Sequence, residues 1–219
     1  MPQSLLDFWE NIPGAAHLHP DDSNVLRCAK HSFQLDCLPA PCLGPLRTAP
    51  IVLLFLNPGF VDFDLEHAQS IGGQDFYFRQ RSGNSELPSK DEHPFAHKWW
   101  ASRIKHLGVD ETKASKNVAI VNISPYKSKG FSDYHMLAAL PSSRACLNWA
   151  QSELFPSAKS KQRVVICLRS AAYWGLGCAS ETGFLFIPEV NRGGFMSRNM
   201  RPAIQKAISS VAPHLMPLS

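Results

Sequence analysis

The sequence predicts an α/β protein of three layers (α/β/α), with a central, largely parallel four-stranded sheet between two layers of helices. Four apolar runs bounded by turn-forming residues are typical of strands that a parallel sheet buries on both faces. Stretches with the apolar spacing of helices separate these runs, as crossover connections require. The chain has 219 residues, of which 44% are apolar, so it can form one compact domain with a sizeable core. The predicted strands are residues 51–56, 118–123, 163–168 and 183–188.

Helices are predicted between and around these strands. Residues 4–12 begin with a serine cap and space their apolar residues as a short amphipathic helix does. Residues 13–49 are rich in proline, histidine and cysteine, and only 24–31 among them favour a helix. We therefore expect residues 1–49 to be an N-terminal extension packed on a single domain that spans 1–219. The other predicted helices are 94–108, 132–139, 141–155, 170–176 and 199–211.

Residues 60–94 are predicted to form a long polar loop after the first strand. The loop holds two adjacent glycines, an aromatic cluster at 76–78, and Arg79 and Arg81. Loops of that length within a compact domain are usually functional or disordered. Aromatic rings interleaved with arginines suit a surface that stacks on bases and contacts phosphates, although the rings could equally anchor the loop to the core.

Composition limits the classes of partner. Lysine and arginine exceed aspartate and glutamate by four, and the sequence pI is near 8.8, which permits a nucleic-acid partner without requiring one. No segment approaches the run of about 18 apolar residues that spans a membrane. The start of the chain carries early acidic residues, unlike a secretory signal peptide. We expect an intracellular monomer, cytoplasmic or nucleoid-associated, with no membrane partner.

Cysteines and histidines near the N-terminus raise the question of a metal site. Their donor atoms suit zinc, but their spacing is irregular and three prolines interrupt it. We therefore expect no metal, and thiols that are reduced and unpaired. The group is Cys28, His31, Cys37 and Cys42, preceded by His17 and His19.

Asparagines stand at or just after the ends of three predicted strands. The first run ends in Asn57-Pro58-Gly59, the second ends around Asn122, and Asn191 follows the fourth. Because the carboxyl ends of parallel strands meet at one edge, where α/β proteins bind ligands, we expect the three asparagines to share a site. Proline fixes one dihedral there and glycine lets a ligand approach the backbone closely. Each asparagine taken alone is also compatible with an ordinary turn.

The chemistry of these side chains favours recognition of a base or a water molecule. Motifs for dinucleotide binding, for nucleotide phosphate binding and for a serine nucleophile are missing from the sequence. Hydride transfer, nucleotide-driven phosphoryl transfer and serine hydrolysis therefore lose support. An amide offers one acceptor and one donor group without charge, which suits the edge of a nucleobase and suits proton abstraction badly.

Asn57-Pro58-Gly59 resembles the first motif of the uracil-DNA glycosylase superfamily, especially its mismatch-specific and single-strand-selective branches. His93 begins a His-Pro-Phe-Ala-His-x-x-Trp stretch similar to the start of the following helix in the mismatch-specific branch. Asn122 stands in Val-Asn-Ile-Ser-Pro, which resembles a strand end that reads the uracil edge in other branches. Residues 191–198 take the place of the second motif. The resemblance runs from about residue 50 to the end of the chain.

The chain departs from the superfamily pattern at both motifs. Phe55 replaces the glycine of the first motif, and Arg192 and Gly193 replace the Pro-Ser of the second. The usual intercalating leucine has no clear counterpart, although Phe195 or Met196 could act as the wedge.

The resemblance implies an α/β/α uracil-DNA glycosylase-like fold and hydrolysis of the bond between a base and its deoxyribose. Such an enzyme would remove uracil or a related deaminated or mismatched base from DNA, without a cofactor and without a covalent lysine intermediate. A base in a duplex must first be rotated into a pocket. Asn57 would position the attacking water, and Asn191 would stabilise negative charge on the departing base.

The resemblance also assigns contacts with the base and with DNA. Asn122 would bind the Watson–Crick edge of the base, and Phe60, Phe76 or Phe78 would stack on it. Either of Asp62 and Asp64 could supply a base if it pointed into the pocket, but a solvated loop position is expected for both. Pro58 and Gly59 would also contact the base. The residues expected to contact the rest of the DNA are Phe195, Met196, Ser197, Arg198, Lys127 and Lys129.

Two other functions remain open from the sequence. A non-catalytic DNA-binding module of the same fold could recognise modified or extruded bases without cutting, which the altered second motif and Phe55 favour. An enzyme of free nucleosides or another small base-containing metabolite would suit the weak net charge.

Overall fold

The protein is an α/β fold around a five-stranded mixed sheet. The structure, a computed structural model, describes residues 4–177, 181–191 and 194–216. The strands are β1 Cys42–Leu43, β2 Ile51–Phe55, β3 Val118–Asn122, β4 Val164–Cys167 and β5 Leu185–Phe186. The α-helices are α1 Leu5–Glu10, α2 Ser23–Cys28, α3 Phe63–Gln69, α4 Ile71–Arg81, α5 Pro94–Ile104, α6 Glu111–Asn117, α7 Tyr134–Ala139, α8 Pro141–Trp149, α9 Phe155–Lys159 and α10 Arg201–Val211.

The strand order across the sheet is β1-β3-β2-β4-β5. β2 pairs in parallel with both β3 and β4, and β4 pairs in parallel with β5. β1 pairs with β3 in the antiparallel sense and forms one edge. The predicted α/β class is therefore confirmed, whereas the predicted strand number is wrong. The sequence did not reveal β1 because it has only two residues and lies in a proline-rich stretch.

The strands are buried on both faces, as their continuous apolar runs predict. In β2, Val52 and Leu54 point into a core shared with α1, α8 and α9. Ile51, Leu53 and Phe55 point into a second core shared with α5, α6 and α10. Fully burying an aliphatic side chain contributes about 1.5–3 kcal/mol, so these two cores dominate the stability of the sheet.

The predicted loop at 60–94 is wrong, because most of its first part is helical. α3 and α4 follow β2 directly, and Ser70 between them caps α4 by accepting a hydrogen bond from the Gly73 N–H at 2.9 Å. A Cβ on Gly73 would lie 1.8 Å from the His67 carbonyl oxygen. The glycine pair that indicated a loop is therefore explained in part by close packing of two helices.

Other predicted helices differ in detail from the observed ones. The helix expected at 141–155 is α8 followed by a π-helical segment, Ala150–Leu154, and then α9. The helix expected at 170–176 is a short 3₁₀ turn, Ala171–Trp174. α6 was not expected at all, although Asp110 caps it by accepting hydrogen bonds from two backbone N–H groups.

The N-terminal residues pack closely on the rest of the chain. Leu5 and Trp9 of α1 belong to the core on one face of the sheet. Asp22 is buried, and its carboxylate accepts hydrogen bonds from the Tyr126 hydroxyl at 2.6 Å and the Ser142 N–H at 2.9 Å. The segment before β2 thus reaches the helices that follow β3.

Two further features concern the described residues as a set. None of the described helices has the length and apolar character needed to cross a membrane. In the same part of the chain, no three His, Cys, Asp or Glu side chains lie together as a metal site would require.

The thiols of Cys37 and Cys42 are buried and unpaired, and burial raises the pKa of Cys37 to about 11 and that of Cys42 to about 12.

Candidate functional site

The carboxyl ends of β2 and β3 bring Asn57 and Asn122 to the same place. Phe55 is the register partner of Asn122. The pairing continues past the strands, because the Ser124 N–H donates to the Leu56 carbonyl at 2.9 Å. A parallel bridge between residues 59 and 128 extends it further. The two segments after these strands are therefore held side by side.

A cavity of about 150 Å³ lies between these segments and the start of α5. An engineered apolar cavity of about that volume holds one benzene molecule, so the space suits a single aromatic ring. Asn57 and Asn122 both line it. The full lining is Leu43, Asn57, Pro58, Gly59, Phe60, Val61, Asp64, His93, Phe95, Ala96, Trp99, Ile120, Asn122 and Lys127.

The side chain of Asn57 is oriented by its own NH2 group. Nδ2 donates to the Pro58 carbonyl at 2.8 Å and to Ser128 Oγ at 2.9 Å. Its Oδ1 accepts no hydrogen bond from the described residues. The amide therefore has a fixed direction, and its carbonyl oxygen can accept a hydrogen bond from a ligand or a water.

Asn122 is oriented in the same way by the chain that precedes β1. Its Nδ2 donates to the Ala40 carbonyl at 3.0 Å, and its backbone N–H donates to the Pro41 carbonyl at 2.9 Å. Only the NH2 end of the amide can donate to a carbonyl, so this contact determines which way the side chain points. Oδ1 is thereby left as an acceptor for a donor on a ring in the cavity.

Gly59 is exposed at the rim of this cavity. A Cβ built there would meet no described atom within 4 Å. Packing inside the protein therefore does not require glycine at this position. A ligand that approaches the backbone closely would require it, as the sequence predicts.

Buried charges form part of the cavity lining. Asp64 Oδ1 accepts a hydrogen bond from His93 Nε2 at 3.0 Å and pairs with Lys127 Nζ at 3.1 Å. The Val61 N–H donates to Asp64 Oδ2 at 2.9 Å, and the Tyr77 hydroxyl lies 3.4 Å from Oδ1. Asp64 is 1% exposed and Lys127 is 7% exposed, so water screens the pair only weakly.

Both members of this ion pair are charged at neutral pH. Burial alone would raise the pKa of Asp64, but the hydrogen bond from His93 and the charge of Lys127 lower it to about 2. Burial alone would lower the pKa of Lys127, but Tyr77 and Asp64 raise it. Asp64 is thus a weak base, and Lys127 presents a fixed positive charge beside the cavity.

His93 has one defined tautomer. Its Nδ1 accepts the Ala96 N–H at 3.1 Å and caps the first turn of α5. The ring proton therefore lies on Nε2 and is donated to Asp64. The histidine that begins the His-Pro-Phe-Ala stretch is in this way both a helix cap and a support for the buried carboxylate.

Two expectations about these charged residues are wrong. Asp64 was expected in a solvated loop, but it is buried in α3 because three side chains and a backbone N–H surround its carboxylate. Lys127 was expected to face DNA phosphates, but its ammonium points inward to Asp64. Asp62 is exposed, as predicted, and Lys129 is exposed as well.

A cationic groove of about 290 Å³ adjoins the cavity. The groove and the cavity share Asn57, Gly59 and Trp99. Its described lining includes Arg103, Lys129 and Arg169 and contains no acidic residue. The remaining members are Phe55, Leu56, Ser128, Gly130, Phe131 and Tyr134.

The loop after β5 does not bring Asn191 to the cavity. Asn191 is exposed, and its Oδ1 accepts a hydrogen bond from the Phe195 N–H at 3.1 Å. Met196 is buried in the core, and the Arg103 guanidinium lies 4.4 Å from the Phe195 ring centroid. The expected grouping of three asparagines is therefore corrected to a pair, Asn57 and Asn122, because hydrogen bonds within the loop hold the third elsewhere.

The rest of this loop is only partly described. Ser197 Oγ donates to Asn199 Oδ1, and Arg198 is exposed. Arg192 and Gly193, which replace the Pro-Ser of the second motif, lie outside the described residues. Gly194 places the loop near the sheet, since a Cβ there would lie 3.4 Å from the Phe55 ring.

The aromatic residues proposed for stacking separate into two groups. Phe60 lines the cavity, with Lys129 Nζ 5.3 Å from its ring centroid. Phe76 is buried in α4 and packs on Tyr77. Phe78 is 46% exposed on α4 and lines neither the cavity nor the groove. Of the three, only Phe60 is placed to contact a ring beside Asn57.

Sequence reasoning missed the groove and the buried ion pair. Arg103 and Trp99 lie on α5, and Arg169 follows β4, so only the folded chain brings them together. In the sequence, the groove was indicated only by Arg169, which directly follows a predicted strand at the sheet edge where ligands bind.

Comparisons with protein-family models, with curated proteins and with solved structures found no match for this chain. The function is therefore inferred from the cavity, the groove and the residues between them. These features include the Asn-Pro-Gly segment that carries the resemblance described above.

Proposed function

We propose that the protein hydrolyses the N-glycosidic bond of uracil, or of a related deaminated or mismatched base, in DNA. The main support is the position of Asn57, which stands where a ring-sized cavity meets a cationic groove. A nucleotide has these two parts, a flat ring and an anionic backbone, and its glycosidic bond lies between them. The resemblance of Asn57-Pro58-Gly59 to the first glycosylase motif supports the same assignment.

In this proposal the base occupies the cavity and Asn57 holds the attacking water. The water oxygen bonds to C1′ of the sugar while the C1′–N bond breaks and leaves its electron pair on the base. One proton of the water stays on its oxygen as the new hydroxyl on C1′, and the other passes to solvent. Asn122 Oδ1 accepts a hydrogen bond from the base edge, and Phe60 contacts the ring.

Lys127 takes the role first expected of Asn191. Its ammonium lines the cavity and is held by Asp64, so positive charge is already in place when negative charge develops on the departing base. Asp64 serves as a positioning residue, because a carboxylate with a pKa of about 2 accepts protons poorly at neutral pH.

A non-catalytic module that binds modified or extruded bases is the second candidate. The observation that favours it is the position of Asn191, whose amide is engaged within its own loop and does not line the cavity. Such a module would retain the cavity, the groove and the affinity for DNA.

The test is incubation of the protein with oligonucleotides that contain one altered base. Uracil, hypoxanthine and xanthine are presented in single strands and in duplexes, and thymine is presented opposite guanine. Abasic sites are then detected by alkaline cleavage. We expect cleavage with at least one substrate. Intact strands across the whole set would contradict the hydrolase, and tight binding without cleavage would favour the module.

A further inference from the structure

Two exposed tyrosines form a stacked pair at the edge of the groove. Tyr134 at the start of α7 is 43% exposed, and Tyr173 in the turn after β4 is 42% exposed. Their ring centroids are 4.8 Å apart, with an interplanar angle of 19°. Phe131 contacts Tyr134 edge-on at 5.3 Å. The rings hold one another in place without being covered by the core.

This pair lies beside positive charge. Tyr134 lines the same groove as Lys129, Arg103 and Arg169. Sites for single-stranded nucleic acid combine exposed aromatic rings with a cationic groove. The bases stack on the rings, and the phosphates lie along the positive charges. A small anion would use the charges but would leave the rings without a partner.

The backbone before Tyr173 is held in an uncommon conformation. Ser170, between Arg169 and the tyrosine turn, has a φ of 59°. A left-handed serine costs free energy that packing must offset. The turn is closed by the Tyr173 N–H, which donates to the Ser170 carbonyl at 2.9 Å. This turn places Tyr173 against Tyr134, four residues after Arg169 of the groove.

The residues expected to open a duplex are not presented for that task. Met196 is buried, and the half-buried Phe195 ring is held against the Arg103 guanidinium, 4.4 Å from its centroid. Proteins that invade a duplex insert an apolar wedge between base steps. An unpaired strand needs no wedge, since its bases are already free to leave the stack.

We propose that the groove binds single-stranded DNA, with the base next to the target stacked on Tyr134 and with Tyr173 supporting that ring from behind. Arg103, Lys129 and Arg169 contact the phosphates, and the target base passes Asn57 into the cavity. This inference rests on the proposed function for the identity of the strand, but it concerns binding and is measured without chemistry.

The experiment is fluorescence anisotropy with a labelled oligonucleotide that contains no excisable base, single-stranded and in duplex form. We expect the single strand to bind more tightly than the duplex. Tyr134→Ala should weaken single-strand binding roughly five- to 150-fold, as loss of one stacked base does. Tyr173→Ala should weaken it about two- to tenfold, as loss of an aromatic pair does.

Matched variants separate stacking from folding. Tyr134→Phe keeps the ring and should bind like the wild type. Phe78→Ala removes an exposed aromatic of similar accessibility outside the groove and should also bind like the wild type. Thermal unfolding of each variant confirms that the fold is retained.

The outcomes distinguish this inference from the proposed function. Equal binding of duplex and single strand, or no effect of Tyr134→Ala, would overturn the stacking site whether or not bases are excised. Tyrosine-dependent binding without any excision would support the stacking site while the hydrolase fails. Tighter binding of single-stranded RNA than of DNA would overturn the assignment to DNA.

Discussion

The segment after β2 and the loop after β5 carry similar asparagine motifs but have different surroundings. Asn57 follows β2, the central strand of the sheet, and lies next to a cavity with buried charges. Asn191 follows the edge strand β5 and is exposed, with its side chain engaged by its own loop. An asparagine after a strand therefore becomes part of a cavity only where neighbouring strands and helices enclose it.

The two regions also differ in what holds them. The cavity lining depends on the buried pair of Asp64 and Lys127, which water screens only weakly. The loop depends on hydrogen bonds at exposed positions, such as that between Asn191 and Phe195. Substitutions in the two regions should therefore differ strongly in their cost.

The largest effect on stability is expected from Lys127→Met. This change leaves Asp64 buried without its partner, which typically lowers the free energy of unfolding by about 3–5 kcal/mol. Asn191→Ala, the matched change in the loop, should cost about 1 kcal/mol or less, since the hydrogen bonding of this side chain within its loop is exposed to solvent. Urea denaturation of both variants measures the difference.

A double variant controls for the lost side-chain volume. The double variant Asp64→Asn, Lys127→Met carries neither charge. Its free energy of unfolding should therefore be lowered less than that of Lys127→Met alone. Equal destabilisation of the single and double variants would show that packing, and not the unpaired carboxylate, causes the loss.

Acid should weaken the cavity side of the molecule through His67. Its ring is buried against Phe63 and Phe76, and this burial is the main reason that its pKa is lowered from 6.5 to about 4. Because the unfolded chain binds the proton first, stability is lost as pH falls from 6.5 toward 4, by roughly 3 kcal/mol at most.

The pH dependence has a direct control. Charged or titratable neighbours of His67 are Asp64, His93, Lys127 and Glu92. Because the pKa of Asp64 is about 2, the stability that its carboxylate contributes is lost at lower pH than the stability that His67 contributes. His67→Asn should be less stable at neutral pH but should lose less stability between pH 6.5 and 4. An unchanged slope in unfolding experiments would mean that another group titrates there.

A smaller effect should separate the two aromatic residues proposed to stack on the base. Phe60→Ala removes a ring from the cavity and should weaken binding of a base-containing oligonucleotide by about 1–3 kcal/mol. Phe78→Ala removes a ring outside both the cavity and the groove and should leave affinity unchanged. Anisotropy titrations measure both, and equal losses would contradict the placement of the base.

The sequence predicts the buried strands well because their signal is local. Continuous apolar runs at β2 and β3 indicate burial on both faces, and both asparagines follow from where these runs end. α3 and α4 were missed because the Gly72-Gly73 pair and polar residues indicate a loop. The reason for Gly73, the His67 carbonyl of another helix, exists only in the folded chain.

The candidate site is predictable only in part for the same reason. Asp64 and Lys127 are far apart in the sequence, and each taken alone is typical of an exposed residue. Their burial follows from β2 and β3 being neighbours, which places residues after both strands side by side. Asn191 shows the converse, since a suitable position after a strand did not bring it to the cavity.

The most direct test of the central claim is the single-turnover rate of base excision for Asn57→Ala and Asn191→Ala. The substrate is a single-stranded oligonucleotide with the base that the wild type removes best, and circular dichroism verifies that both variants are folded. Asn57→Ala should lower the rate at least about a hundredfold, as loss of a positioned polar group in a catalytic site does. Asn191→Ala should change it by about threefold or less, because an exposed hydrogen bond contributes little. A large loss in Asn191→Ala with a near-normal rate in Asn57→Ala would contradict the placement of the reaction in the Asn57–Asn122 cavity.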